Sequence, residues 1–341
     1  MRRIASWVLA GLCLTVWGQP QASEWSNLPE LEARKFIQAR AAEDFRSGRM
    51  AEIDARMAQL VRDSTRTSSG LWVSGLYYGG LRSAVITDTP QTDEMLGVLE
   101  QRTLEWTRQR PHSAVARVLH AQVIVRRAWR IRGGGYAYTV PDDAWAPFHA
   151  GLRRAEAYLE QEKAVAAAVP DYYLALAEIA KALGKPRRDI DALLAECDRR
   201  YPGYYPLYFE ILNYLLPKWH GDAAEIERFA RDAVRRTQAF EGDSMYARIY
   251  WFAAQGDFRN DLFWSTNARW DLMKRGFEDV VARYPDQWNY QNYAHFACEA
   301  DDTRTLTTLM SRFVKPPMLA AAWSGGIGLA ECERRAGRQS L

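Results

Sequence analysis

The chain has few cysteines, and neither sign of charge predominates. Only four of its 341 residues are Cys, and 45 Lys and Arg stand against 42 Asp and Glu. So low a cysteine content excludes a small scaffold held together by many disulfides. The even balance of charge gives no electrostatic reason to expect a nucleic-acid partner, because such a partner selects a strongly basic surface.

Long apolar runs are absent after the N-terminus. One run, Ile4–Trp17, follows the basic residues Arg2 and Arg3 and precedes small and turn-forming residues. It is shorter than the roughly 20 residues that a membrane-spanning helix needs. This order of charge, apolar run and small residues is typical of a secretory signal peptide. We therefore predict a leader over residues 1–23 and a periplasmic or secreted chain over 24–341 that has no integral membrane segment.

Established catalytic motifs are lacking as well. The sequence has no Gly-x-Ser-x-Gly, His-Glu-x-x-His, Gly-Lys-Ser/Thr or Cys-x-x-Cys pattern. Gly133–Gly135 are better explained as a flexible turn than as a phosphate-binding loop. Glycoside cleavage needs two converging carboxylates, and Glu178, Glu210 and Asp243 are candidates that spacing alone does not separate. We expect no cofactor and no metal, and we favour a protein without catalytic activity.

Three cysteines follow the predicted leader, namely Cys197, Cys298 and Cys332. An oxidising compartment favours pairing two of them and leaving one. Cys298 and Cys332 are 34 residues apart, which is the period of a tetratricopeptide helical hairpin. Equivalent positions on neighbouring helices come close enough for a disulfide. We predict this pair, and we interpret Cys197 as a small buried apolar residue.

Amphipathic helices account for nearly all of the remaining sequence. Residues 171–202 carry apolar residues at three- and four-residue steps and are divided by Gly184 and Pro186. They therefore predict one helical hairpin of tetratricopeptide length. Similar patterns predict further hairpins and a closing helix over the ranges 29–64, 92–132, 204–239, 242–284, 286–313 and 317–336. The prediction is an all-α, tetratricopeptide-like α-solenoid of stacked antiparallel hairpins, in a single domain over 24–341 with a candidate subdivision near 133–141.

Aromatic residues are abundant, with 13 Trp and 17 Tyr. Two helices are especially aromatic, and their relevant residues are Tyr204, Tyr205, Tyr208, Phe209 and Tyr214 in one and Trp288, Tyr290, Tyr293 and Phe296 in the other. Adjacent aromatic stripes are typical of a helix buried on two sides. Core packing is the favoured interpretation, and a lined peptide or glycan groove remains the alternative.

The densest basic cluster consists of Arg126, Arg127, Arg130 and Arg132. On a helix, several of these side chains share one face. They either bind an acidic partner or pair with carboxylates of a neighbouring helix, for instance Asp142, Asp143 or Glu156. The residues that we select as candidate partner contacts are Arg126, Arg130, Arg132, Tyr136, Trp219 and His220.

One histidine is placed so that it could share a metal with an acid. His295 and Glu299 are one helical turn apart. Two ligands are too few for a structural zinc site. We therefore predict a hydrogen-bonded pair at these two positions.

Several segments with unusual residue combinations are similar to a known family. They are Trp106, Arg110–Ser113, Ala128–Ala137, Trp145, Phe148, Ala155, Leu159, Tyr201–Pro202, Leu216–Gly221, Tyr284–Pro285 and Ala297–Cys298. Together they resemble the uncharacterised bacterial family called domain of unknown function 4034, over most of residues 45–335. The resemblance implies a tetratricopeptide-like helical fold and carries no activity with it. His220 departs from the pattern, since a small or polar residue is expected there.

Stacked helical hairpins present an extended surface, and this geometry suits recognition of peptides and proteins. We therefore favour an exported helical-repeat protein that binds a protein or peptide partner in the cell envelope, as a monomer or weak oligomer. One alternative is a hydrolase or lyase that acts on envelope glycan or peptide. A second alternative is a structural module of an envelope or secretion complex.

Overall fold

A computed structural model describes residues 24–87, 92–219, 221–259 and 261–337. Across these residues the chain forms seventeen α-helices and no β-strand, so the prediction of an all-α fold is confirmed. The helices are α1 Glu30–Arg46, α2 Met50–Arg62, α3 Val73–Arg82, α4 Asp93–Gln109, α5 Ala114–Arg132, α6 Asp142–Gln161, α7 Lys163–Ala166, α8 Asp171–Ala182, α9 Arg187–Arg200, α10 Tyr205–Tyr214, α11 Ala223–Glu241, α12 Ser244–Gln255, α13 Leu262–Ser265, α14 Trp270–Arg283, α15 Gln287–Glu299, α16 Thr303–Arg312 and α17 Leu329–Arg335. A π-helical turn covers Ser83–Thr87, and 3₁₀-helices cover Ala137–Thr139 and Ala320–Trp323. The predicted leader lies outside the described residues.

Most helices pair with a neighbour in the chain, as the sequence pattern predicts. The pairs are α1 with α2, α4 with α5, α8 with α9, α10 with α11, α12 with α14, and α15 with α16, and the two members of each pair are in contact. The predicted closing helix is shorter than expected, because α17 covers only Leu329–Arg335 and follows a 3₁₀-helix. The stacking of these pairs into a solenoid remains a prediction.

Side-chain caps and glycines set the helix boundaries. Ser113 accepts a hydrogen bond from the backbone N–H of Ala116 at the start of α5, and Asp222 caps α11 in the same way. Such caps satisfy backbone donors that the first turn leaves without a partner. At the other ends of α5 and α11, Gly133 and Gly242 have positive φ angles of 78° and 60°. Glycine adopts this conformation without the steric cost that a side chain adds.

Besides the four-residue helix α7, two helices lie outside the predicted hairpins. The first is α3, which packs on α1 so closely that a Cβ at Gly80 would come within 2.3 Å of the backbone oxygen of Gln38. The second is α6, which packs along α5 with Gly151 against Ala128. The connection over 133–141 therefore joins two helices that pack against each other. One contiguous cluster of buried residues covers the described chain on both sides of this connection.

Five helices form what we call the central row: α5, α8, α10, α12 and α15. Each of the first four contacts the next in this order. The last contact, between α12 and α15, includes the rings of Trp251 and Trp288, which stack with centroids 5.9 Å apart. The five helices therefore lie side by side, and each contributes one face to the same side of the row.

A turn over residues 66–72 crosses from the N-terminal helices to the central row. Trp72 Nε1 donates to the backbone oxygen of Gly203, 2.7 Å away. The backbone oxygen of Ser69 accepts from Arg248 of α12 and from Asn289 of α15, both at 3.2 Å. Gly70 has a φ of 90°, and a Cβ there would come within 2.7 Å of the Tyr284 ring. The turn therefore docks by direct backbone contact.

Glu30 holds this turn in place. Its buried carboxylate accepts hydrogen bonds from the hydroxyl groups of Thr67, Ser68 and Ser69 and from the backbone N–H of Ser69. Arg34 Nε adds an ion pair at 2.6 Å. Burial alone would raise the pKa of Glu30, but the charge of Arg34 and the hydrogen bonds outweigh it and lower the pKa. The ionised form is thus the one that the fold stabilises.

The described cysteines occupy two environments. The sulfur atoms of Cys298 and Cys332 lie 2.20 Å apart, which is disulfide distance, and their Cα atoms are 5.7 Å apart. Cys197 is free and buried, and burial raises the pKa of its thiol well above the ordinary value. A buried neutral thiol is a poor nucleophile.

Among the described residues, no helix has the length and hydropathy needed to cross a bilayer.

We predict that Glu30→Gln lowers the free energy of unfolding by about 2–4 kcal/mol at pH 7, because a neutral amide leaves buried donors without an ionised acceptor. Since the folded pKa of Glu30 is lowered, the loss is complete above the ordinary pKa of 4.5 and shrinks as the pH falls through the folded value. Denaturant titration between pH 3 and 7 measures it. The control Glu32→Gln, on the exposed side of the same helical turn, should change stability by less than about 0.5 kcal/mol. Equal losses in both variants would refute the role of Glu30.

Candidate functional site

A cavity of about 410 Å³ opens between the docked turn and the central row. The turn and α3 provide one wall, which includes Ser69, Trp72 and Leu76. Helices α8, α10, α12 and α15 provide the others. The aromatic side chains that line it are Trp72, Tyr205, Phe209, Trp251, Phe252 and Trp288. A mostly apolar cavity of this size with a few polar groups is typical of a ligand-binding site.

Apart from Glu210, whose Oε1 forms an ion pair with Lys181, three residues that line this cavity keep a polar atom without a hydrogen-bond partner among the described residues. The atoms are the hydroxyl oxygen of Tyr205, Nε of Arg248 and Oδ1 of Asn289. All three side chains are at least 96% buried. Asn289 directs its Nδ2 to the backbone oxygens of Ser69 and Tyr284, which fixes Oδ1 as the remaining acceptor. Buried polar groups without a partner are rare and call for a functional or structural reason.

A second cavity of about 590 Å³ adjoins the first, since Arg82 and Glu178 line both. It also includes Arg126 and Trp129 of α5 and Trp219. The rings of Trp129 and Trp219 meet edge to face at 6.4 Å, and Lys181 Nζ lies 5.1 Å from the Trp219 ring.

A third cavity of about 240 Å³ adjoins the first on its other side, since Trp251, Gln255 and Trp288 line both. Its other residues include Arg259, His295 and Glu299. The three adjoining cavities follow one face of the central row from α5 to α15, and we call them the groove.

The carboxylates Glu178 and Glu210 meet in the groove, as glycoside cleavage would require, but each is bound by a cation. Arg82 pairs with Glu178 at 3.0 Å, and Lys181 pairs with Glu210 at 2.6 Å. Burial raises the pKa of Glu210, and the charge of Glu178 adds to this, although Lys181 opposes it. The third candidate, Asp243, pairs with Arg275 and does not line the groove.

His295 and Glu299 come together as their spacing predicts, but the predicted hydrogen bond is not formed, since His295 Nε2 has no hydrogen-bond partner among the described residues. His295 Nε2 lies 3.4 Å from Glu299 Oε1. Burial raises the pKa of Glu299 to about 7 and lowers the pKa of His295. Near neutral pH both groups therefore tend towards their uncharged forms. In the described part of the chain, no three His, Cys, Asp or Glu side chains converge in a way that could hold a metal ion.

The predicted partner contacts divide into two places. Arg126 and Trp219 come together in the groove. Arg132 lies over the rings of Trp129, Trp145 and Phe148 and donates to backbone oxygens of the following loop. Tyr136, on that loop, is 73% exposed and stacks on Tyr138. Arg130 is exposed on α5 and does not line the groove. His220 lies outside the described residues.

Arg127 of the arginine cluster pairs with carboxylates of a neighbouring helix, as one interpretation of the cluster predicts, but these are not the carboxylates named as examples. Arg127 pairs with Glu100 at 2.6 Å and with Asp93 at 3.2 Å, both on α4. Glu156, which was a candidate, pairs instead with Lys185. The reason is that α4 as well as α6 packs on α5, and the side chain of Arg127 meets α4.

The two aromatic helices serve both the core and the groove. Nearly all of their aromatic side chains are buried. However, Tyr205, Phe209 and Trp288 also line the 410 Å³ cavity. Phe209 stacks on Phe252 with ring centroids 4.6 Å apart and nearly parallel planes.

Sequence reasoning missed the wall that the turn and α3 contribute, together with Arg82, Arg248 and Trp251. Gly75, Gly79 and Gly80 in α3 were the one local signal, because glycines inside a helix often mark close approach of another segment.

We predict that Tyr205→Phe does not lower the free energy of unfolding and raises it by up to about 1–2 kcal/mol, because its buried hydroxyl group has no partner among the described residues. The adjacent Tyr204→Phe is the matched control. It should cost about 1–3 kcal/mol, because the Tyr204 hydroxyl donates to buried Asp171 at 2.7 Å. Denaturant titration of both variants at pH 7 gives the comparison. Equal losses would show that the Tyr205 hydroxyl is satisfied within the fold.

In comparisons with known proteins, no family model, no curated protein and no solved structure matches this chain. The resemblance to the domain of unknown function 4034 family stays a prediction. The function is therefore argued from the groove itself.

Proposed function

We propose that this protein is exported and binds an extended peptide segment of a partner protein in the cell envelope, without catalysing a reaction. The observation that supports this most is the continuity of the groove. Adjoining cavities share lining residues, and together they follow one face of the five helices of the central row. A tetratricopeptide-like stack of hairpins, with one helix of each pair facing the ligand, would produce this arrangement.

The length of the groove suits a peptide rather than a small molecule. Packed helices lie roughly 8–10 Å apart, so the four intervals of the central row span roughly 30–40 Å. An extended chain advances roughly 3.3 Å per residue. The groove therefore has room for a segment of roughly ten to twelve residues.

The polar atoms without partners fit a peptide backbone. Arg248 Nε and the Tyr205 hydroxyl group can donate to a carbonyl oxygen, and Asn289 Oδ1 can accept from an N–H. A peptide bond carries both groups close together. Because each of these atoms is buried out of contact with solvent, a peptide reaches it only when a neighbouring side chain moves.

Two observations support export. The residues before 24 carry the pattern of a secretory leader. In addition, Cys298 and Cys332 lie at disulfide distance, and disulfides persist mainly in oxidising compartments such as the periplasm.

The alternative of an envelope hydrolase rests on Glu178 and Glu210, which share the 410 Å³ cavity. Cleavage of a glycoside requires one protonated and one ionised carboxyl group, both free to reach the substrate. Here each carboxylate is bound by a basic side chain. This arrangement favours a structural role for the two ion pairs.

A blocked groove tests the proposal. Peptides selected from a phage-displayed random dodecapeptide library against the purified full chain are synthesised with a fluorophore, and their affinities are measured by anisotropy. Gln255→Trp places a bulky side chain at the exposed junction of two cavities. We expect it to weaken binding at least about tenfold, since a steric block removes contacts on both sides, and to leave the unfolding midpoint unchanged.

The matched control is Gln101→Trp, an exposed position on α4 that lines no part of the groove. It should keep the affinity of the natural chain. Failure to select any peptide, or equal weakening by both substitutions, would contradict the proposal. Mass spectrometry of the peptides after incubation should find them intact, and cleaved products would favour the hydrolase.

A further inference from the structure

We infer that the peptide is acidic and carries one bulky apolar side chain at its centre, with acidic residues on both sides. This inference rests on the proposed function and specifies its ligand. It follows from the distribution of charge and of aromatic surface along the groove.

The lining of the groove is basic, although the chain as a whole is nearly neutral. Six basic side chains line it against three carboxylates: Arg34, Arg82, Arg126, Lys181, Arg248 and Arg259 against Glu178, Glu210 and Glu299. Burial raises the pKa of Glu299 to about 7, so its negative charge is reduced near neutral pH, while Glu178 and Glu210 are each paired with one of the lining cations.

Carboxylates behind the lining offset only part of this excess. Glu30 pairs with Arg34. Glu241 accepts from the hydroxyl group of Tyr284, whose ring lies 5.5 Å from the Arg248 guanidinium. A further cation, Arg66, lies 4.7 Å from the centroid of the Tyr205 ring and offsets part of the charge of Glu241. The positive potential of a cleft attracts an acidic ligand and raises its association rate.

The aromatic surface is concentrated in the middle of the groove. Trp72, Phe209, Trp251 and Phe252 surround the 410 Å³ cavity, with Trp288 beside them. The apolar walls can enclose one large side chain. Burial of such a side chain contributes about ten- to hundredfold in affinity.

Basic side chains mark both flanking cavities. Arg126 lines the 590 Å³ cavity on one side, and Arg259 lines the 240 Å³ cavity on the other. An extended peptide whose central side chain fills the aromatic cavity would carry its preceding and following residues past these two arginines. The complementary sequence is therefore acidic on both sides of one apolar anchor.

A set of synthetic peptides tests this directly with the full chain. The probe is a fluorescein-labelled dodecapeptide with a central Phe, three Glu on each side, and Gly and Ser elsewhere. Its matched peptides replace all Glu by Gln, all Glu by Lys, or Phe by Ser. We expect the Glu peptide to bind at least about tenfold more tightly than the Gln and Ser peptides, and the Lys peptide to bind most weakly. The affinity of the Glu peptide should fall several-fold when the salt concentration rises from about 50 to 300 mM.

Substitutions in the groove connect this preference with its residues. Arg126→Gln and Arg259→Gln should each weaken the Glu peptide by about three- to tenfold and leave the Gln peptide unchanged. The control is Arg228→Gln on α11, where Arg228 is exposed and pairs with Glu225. It should affect neither peptide.

The outcomes separate this inference from the function on which it rests. If library-selected peptides bind in the groove but the Glu and Gln peptides bind equally, the acidic preference is wrong and peptide binding stands. If the Phe and Ser peptides bind equally, the apolar anchor is wrong. Displacement of the Glu peptide by uncharged chito-oligosaccharides would indicate a glycan site and overturn the inference. If no peptide binds, both the inference and the proposed function are wrong.

Discussion

The buried carboxylate of Glu30 is the contact on which the site depends. Glu30 lies in the first turn of α1. Its carboxylate accepts hydrogen bonds from three hydroxyl groups and one backbone N–H of the docked turn and forms an ion pair with the guanidinium of Arg34. By fixing the residues 67–69, it presents the backbone oxygen of Ser69 to Arg248 and Asn289 on the central row. Without these contacts the turn would not be held against the central row, and the 410 Å³ cavity would lose one wall.

Docking of the turn also explains why polar atoms remain without partners below it. Arg248 and Asn289 use part of their hydrogen-bonding capacity on Ser69, and the geometry of that contact leaves Arg248 Nε and Asn289 Oδ1 without partners among the described residues. A fold selected only for stability would replace such groups by apolar ones, since buried polar atoms without partners cost free energy. Their position beside an aromatic cavity is consistent with a ligand that supplies the missing contacts.

Local patterns in the sequence were sufficient for the helices and for the cysteine pair. The boundaries of α8 and α9 follow from Gly184 and Pro186, and the 34-residue spacing of Cys298 and Cys332 brings their sulfur atoms to disulfide distance. The candidate site could not be predicted from local patterns in the same way. Ser69 meets Arg248 and Asn289 across 179 and 220 residues of chain, and periodicity carries no information about such contacts. For this reason, among the predicted partner contacts that the structure describes, only Arg126 and Trp219 lie in the groove.

Hydrogen–deuterium exchange of the full chain, with and without a saturating groove-binding peptide, tests the central claim most directly, because protection from exchange reports where binding reduces local opening. The claim is that the docked turn and the central row form one recognition surface. It predicts that bound peptide slows exchange in the turn over 66–72 and at the exposed ends of α10, α12 and α15 together. Protection confined to α9, α11 and α14, with no change in the turn, would contradict it.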